Sequence, residues 1–195
     1  MGASRLAVAV LCAVLAVGAC GGDDDDDGVD ISFGDEPPAL GDHWHAAFGV
    51  NVCGEWLANA PEFHNAADDL SLQAGVHSHG DGLVHIHPFV SGEAGANATM
   101  GKFFEYGGWS AGADSFEVWD GAVHQSGDLC DGQAAVVSWT LNGEAQDGDI
   151  TAHRLADGDV IALALIPEGD EVGRPPSAAD LDAPSDLAPA TSAPD

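Results

Sequence analysis

"HWHAAFGVNVCGEW", His43–Trp56, alternates in a way that fixes the reading of the whole chain. A strand turns successive side chains to opposite faces, so Trp44, Ala46, Phe48, Val50 and Val52 share one side. His43, His45 and Cys53 fall on the other. The pattern predicts a strand with one apolar face buried in a core and one face carrying imidazoles. A second stretch repeats it. "GLVHIHPF", residues 82–89, sets Leu83, His85 and His87 against Val84, Ile86 and Pro88. Pro88 cannot donate to a ladder, so this strand ends there or lies at an edge. If the two strands are neighbours, their histidines share a sheet face.

Residues 57–76 read as a long connection containing Pro61 and the acidic pair Asp68-Asp69. His77, His79 and Asp81 are expected in the Gly-rich loop that leads into the second strand. Downstream, "GANATMGKFFEYGGW" (95–109) is the best helix candidate. Asn97 or Thr99 can cap its start, Gly107-Gly108 can stop it, and Met100, Phe103 and Phe104 form a buried stripe. "AAVVSWTLNG" (134–143) predicts a strand running into an Asn-Gly hairpin turn. "TAHRLADGDVIALALI" (151–166) has a turn at Asp157-Gly158 and then an apolar strand from Val160 to Ile166. Strand, strand, helix, strand, strand predicts an α+β domain, a small mixed sheet with one main helix. The "NG…LADGDVIAL" stretch is similar to the end of β-grasp, ubiquitin-like domains. That resemblance implies a β-grasp-like sheet, with the 57–81 connection as a departure.

The 195 residues carry 33 acidic and only four basic side chains, a formal charge of −29. Such a surface repels nucleic acid and anionic lipid head groups, and it draws cations diffusely. The first twenty residues, "MGASRLAVAVLCAVLAVGAC", hold one Arg and an apolar run from Leu6 to Val17. A permanent membrane helix needs about 20 apolar residues, so the run reads as the core of an export signal. Val17-Gly18-Ala19-Cys20 resembles the lipobox of bacterial lipoproteins. The resemblance implies a signal peptide over 1–19, lipidation of Cys20, and an extracytoplasmic protein anchored to the cell membrane by its acyl chains. "GGDDDDDGVD" then belongs to an acidic, disordered tether over 20–39. A single His-rich domain is expected over 40–176 and a disordered Pro/Ala/Ser/Asp tail over 177–195. In an oxidising compartment Cys53 and Cys130 are expected to pair, with thiolate ligands or free thiols as the alternatives.

Six histidines stand in three H-x-H pairs: His43/His45, His77/His79 and His85/His87. On a strand, residues two apart point the same way, so each pair offers two imidazoles to one ion. Neutral imidazoles suit zinc, copper or nickel, and no methionine-rich cluster accompanies them to favour copper(I). The leading expectation is therefore divalent transition-metal binding, through His77, His79, His85 and His87 first and His43 and His45 next. Asp42 or Asp81 could orient a ligating ring. His64, His124 and His153 stand alone and read as structural or exposed.

Two other classes compete. One is a non-catalytic domain whose histidines build the fold and whose sheet meets a cell-envelope partner. The other is a small metal-dependent hydrolase with Asp81 or a neighbouring acid as base. "HSHGDG" resembles the H-x-H-x-D-H motif of metallo-β-lactamase-type hydrolases through His77, His79 and Asp81, but Gly82 stands where that motif has histidine. The pairs also look like the metal pair of cupins, without the downstream glutamate and histidine motifs. "DHWHAAFGVNVC", "GVHSHGDGLVHIHPF", "NATMGKFF" and "PPSAADL" together resemble an uncharacterised family of exported actinobacterial proteins. That resemblance implies one domain type and brings no activity.

Overall fold

The computed structural model describes residues 36–184 and 186. The expected signal peptide, Cys20, most of the tether and the last nine residues lie outside the described residues. Among those described, no helix is long and apolar enough to cross a membrane.

The first strands are β1 (Trp44–Val52), β2 (Glu55–Trp56), β3 (Phe63–Asn65), β4 (Gln73–Ser78) and β5 (Leu83–Ile86). Helix α1 (Met100–Gly107) follows. A small three-stranded sheet comprises β6 (Ser110–Ala111), β7 (Ser115–Glu117) and β8 (Val123–Gln125). The chain returns to the main sheet with β9 (Leu129–Cys130), β10 (Gln133–Leu141), β11 (Glu144–Gln146) and β12 (Val160–Pro167). The main sheet runs β11-β10-β12-β1-β5-β4-β3, with β2 beside β1 and β9 beside β10. Among the described residues only the central β1–β12 pair is parallel, from Ala47 opposite Val160 to Val52 opposite Leu165. The fold is thus α+β, a mixed sheet with one main helix, as the sequence predicts.

β12 reads as an unbroken apolar run because it is covered on both faces. Its neighbour β1 alternates. Ala46, Phe48 and Val50 face the core under α1, while Ala47 belongs to a second apolar cluster with Leu83, Val160 and Ala178. α1 starts at Thr99, whose hydroxyl accepts from the Lys102 N–H at 3.3 Å, and stops at Gly108 in the left-handed region (φ 75°). Its Phe103 and Phe104 rings meet Phe48 edge-on, with centroids 5.6 and 5.8 Å away. The Asn142-Gly143 turn has positive φ at both positions, as a tight hairpin between β10 and β11 requires.

The structure corrects the sequence reading in three places. Residues 57–76 are not a plain connection, since β3 and most of β4 lie within them. His77 therefore sits in a strand rather than in the loop. The boundary expected at residue 176 cuts through packed chain. Pro176–Ala179 forms a 3-10 turn with Ser177 and Ala178 buried. Cys53 and Cys130 are bonded, with their sulfurs at 1.98 Å, across 77 residues of chain. Closing a loop of that length stabilises the fold by roughly 4–5 kcal/mol on a chain-entropy account.

Glu93 is fully buried behind β4 and ties the histidine strands to the helix. One carboxyl oxygen accepts from the Gly75 N–H and the Tyr106 hydroxyl, both at 2.9 Å. The other accepts from the N–H groups of Phe89 at 3.0 Å and Val90 at 3.3 Å. Burial, with Glu93 alongside, holds the Tyr106 phenol above its usual range. A Cβ on Gly75 would collide with that carboxyl group, which explains a glycine inside a strand. Glu93→Gln sets an amide N–H₂ against donors, and it should cost roughly 2–4 kcal/mol in urea unfolding. An unchanged midpoint would show that the knot does not hold the strands.

Candidate functional site: a histidine face on the sheet

Three strands bring the histidines together by register. β1 pairs with β5 so that His45 lies opposite His85, and β5 pairs with β4 so that His85 lies opposite His77. The three rings form a row across the sheet, on the face away from α1. His43 and His87 make the next row, with ring centroids 4.0 Å apart. His79 follows β4 and meets His85 at 4.2 Å. All six sequence-predicted histidines, His43, His45, His77, His79, His85 and His87, therefore share one face.

The face holds two groups that sequence reasoning missed. His64, expected to be isolated, lies on β3 with its ring 5.5 Å from His77 and 4.9 Å from His79. Phe63 packs into the aromatic core against Phe103 and Trp109, and the alternation turns His64 to the opposite face. That alternation was the available signal. Asp186, placed by sequence in the tail, reaches the cluster from the C-terminal segment. Its carboxylate stands 2.7 Å from His43 Nε2, 3.0 Å from His45 Nε2 and 3.1 Å from His85 Nδ1. His124 and His153 stay apart, on Asp120 and Asp159 respectively. Asp42 accepts from the Ala39 N–H at 2.6 Å.

Small residues admit the C-terminal segment. A Cβ on Gly49 would stand 2.7 Å from Pro175 Cβ, and one on Gly82 would stand 2.6 Å from Ser177 Cβ. The Ser177 hydroxyl donates to the Phe48 carbonyl at 3.2 Å. Beyond it, Ala178 and Leu181 pack on Ala47, Leu83 and Val160. The segment thus docks over the bare middle of β1 and delivers Asp186 to the imidazoles. A cavity of about 500 Å³ opens beside His43 and His45, with Asp157 and Arg174 in its wall, and gives solvent a route to them.

Ligand geometry is present in several combinations. His43, His45, His87 and Asp186 each offer an atom within 4.8 Å of the others, as do His64, His77 and His79, and His79, His85 and Asp186. The Ala74 carbonyl can only accept, so the 2.9 Å contact places a proton on His77 Nδ1. Its Nε2 then presents a lone pair to the face. His87 Nε2 is buried and has no hydrogen-bond partner among the described residues. An unsatisfied nitrogen costs free energy unless something occupies the space before it.

The electrostatics favour the neutral forms of His77, His85 and His87. Burial first, then the neighbouring His87, His85 and His79, push His77 down to about 3. Burial and then His43 push His87 down to about 4. His85 is lowered too, chiefly by burial, although Asp81 at 3.1 Å opposes this. For Asp186 burial works upward, but hydrogen bonds from His45 and His43 hold its carboxyl well below the usual range. No protein-family model, curated protein or solved structure matches the chain. The site is read from its own geometry.

Acid should therefore loosen the metal-free protein. Unfolded histidines take up protons near pH 6.5, whereas His77 and His87 resist protonation in the fold down to about 3 and 4. Between those limits the unfolded chain binds more protons, so stability falls as pH falls. The melting temperature should drop steadily from pH 7.5 to pH 4.5, and His77→Gln should flatten the slope. A profile that is level in the unsubstituted chain would contradict the buried, neutral assignment.

Proposed function

We propose that the chain is an extracytoplasmic protein, anchored through Cys20, that binds a divalent transition metal on its histidine face. The observation that carries this reading is the convergence of His43, His45 and His87 with Asp186, all ligand atoms within 4.8 Å of one another. Two ligand atoms at about 2.0–2.1 Å from a tetrahedral ion lie about 3.3 Å apart. The Asp186 contacts to His43 and His45, at 2.7 and 3.0 Å, are near that span. The ion would give buried His87 Nε2 a partner where the described residues offer no hydrogen bond. A His87 ring held down to about 4 also means that the ion does not compete with a proton for that ligand near neutral pH.

Three imidazoles and a carboxylate suit zinc(II), copper(II) or nickel(II). A thiolate contribution is removed by the Cys53–Cys130 bond. That bond is also compatible with an oxidising compartment, in keeping with the lipobox-like Val17–Cys20 stretch. The strand order β5-β1-β12-β10, with the last strand parallel to the first, supports a β-grasp-like reading of the sheet.

Elemental analysis and zinc, copper and nickel titration of the full-length chain test the function. At least one equivalent should bind. His43→Ala with His87→Ala should weaken the tightest equivalent by 100-fold or more, because two of four ligands are lost. Failure of all three metals to bind stoichiometrically would remove the reading.

A further inference from the structure

The histidine face holds more donors than one ion can use. Seven imidazoles, Asp186 and Asp81 converge there, while a tetrahedral site takes four ligands. The donors also do not gather at one point. His43, His45, His87 and Asp186 form one set, and His64, His77 and His79 form another with no member in common. A third set, His79, His85 and Asp186, links the two.

We infer that the face is a two-ion centre, one divalent transition-metal ion on His43, His45, His87 and Asp186 and a second on His64, His77 and His79. This rests on the metal-binding reading above and adds a second site to it. His77 Nε2 and His79 Nε2 face each other at 3.1 Å, close to the span expected across a single tetrahedral ion. The Ala74 carbonyl already holds the Nδ1 proton of His77, so the facing nitrogen is the ligating one. Ring positions around the second set are consistent with it, since His64 lies 4.9 Å from His79 and 5.5 Å from His77.

His85 and Asp186 sit between the two ions. His85 is fully buried, with Nδ1 3.1 Å from Asp186 and Nε2 3.1 Å from Asp81. Its two ring nitrogens thus join the carboxylate of the first set to the Asp81 carboxylate. Asp186 has two oxygens, one toward His45 and one toward His43 and His85, so it can serve both sets.

The two sites differ in closure. The first has four protein ligands. The second has three, with the Glu62 carboxylate 2.7 Å from His64 Nε2 beside it, which leaves a fourth position for that carboxylate, solvent or a small anion, as catalytic zinc sites do. His64 is exposed, with 45% of its side chain accessible, and opens the second site to exchange. The second ion should therefore bind more weakly and leave first.

Zinc titration of the metal-free full-length chain, followed by calorimetry and elemental analysis, decides the matter. Two equivalents are expected, in two phases at least ten-fold apart in affinity. His64→Ala with His79→Ala should remove the weaker phase and keep the tighter one. His43→Ala with His87→Ala should weaken the tighter one and leave a bound equivalent. Cobalt(II) added to the unsubstituted chain should give two successive, spectrally distinct increments, a readout that needs no variant to fold. One equivalent only, with a single cobalt spectrum, overturns the two-ion centre and leaves the metal-binding function standing. No stoichiometric zinc or cobalt overturns the two-ion centre, and the metal-binding function falls with it when copper and nickel fail to bind as well.

Discussion

The antiparallel register of β1, β5 and β4 is the constraint on which the rest depends. Placing His45 opposite His85, and His85 opposite His77, puts three imidazoles in a row. A slip of one residue would exchange the two faces of a strand. The histidines would then enter the core beneath α1, and Phe48, Val84 and Ile86 would face the C-terminal segment. Burial of those apolar side chains against Phe103 and Phe104 makes such a slip costly. Hydrophobic packing on one face thus sets the geometry of the polar chemistry on the other. Glu93 reinforces it from the side, since it binds the β4 backbone at Gly75 and the start of the turn after β5 together.

The second face is finished by a part of the chain far from it in sequence. Ala47, Gly49 and Gly82 leave a shallow bed on the sheet, and Pro175, Ser177 and Ala178 fill it. That contact is apolar and tight. It fixes the path by which Asp186, 101 positions from His85, comes within 3.1 Å of it. The strands supply imidazole nitrogens and the C-terminal segment supplies the anion. Substituents at the glycines would therefore act on the site without touching a histidine.

Those two halves were unequally legible. β1 and β5 showed themselves because each alternates apolar and imidazole side chains over several residues, and a period of two is hard to mistake. α1 was readable from Thr99 and Gly108, whose cap roles follow from local chemistry. β4 was hidden because "QAGVHS" carries a glycine and a serine, and only the Glu93 contact explains the glycine. β3 spans three residues, too few for periodicity to register, so His64 looked solitary. Asp186 had no signal of its own among so many aspartates, in a segment rich in Pro and Ala. The unexplained small residues on β1 were the closest hint, since a bare stretch of strand implies that something lies against it.

The acidity of the chain and the composition of the histidine face act on cations in different ways. A formal charge of −29 raises the local concentration of any cation, magnesium and calcium included, and carboxylates on a surface discriminate poorly among them. Imidazole nitrogens do discriminate, because hard cations prefer oxygen donors and borderline ones accept nitrogen. Within the face, burial keeps His77 and His87 uncharged, so the rings neither repel an arriving cation nor need to shed a proton for it. Carboxylates of Asp186 and Asp81 stand on either side of His85. In the proposed reading the surface gathers cations without selection, and the buried rings choose among them. The price of that choice is a buried nitrogen, His87 Nε2, with no hydrogen-bond partner among the described residues.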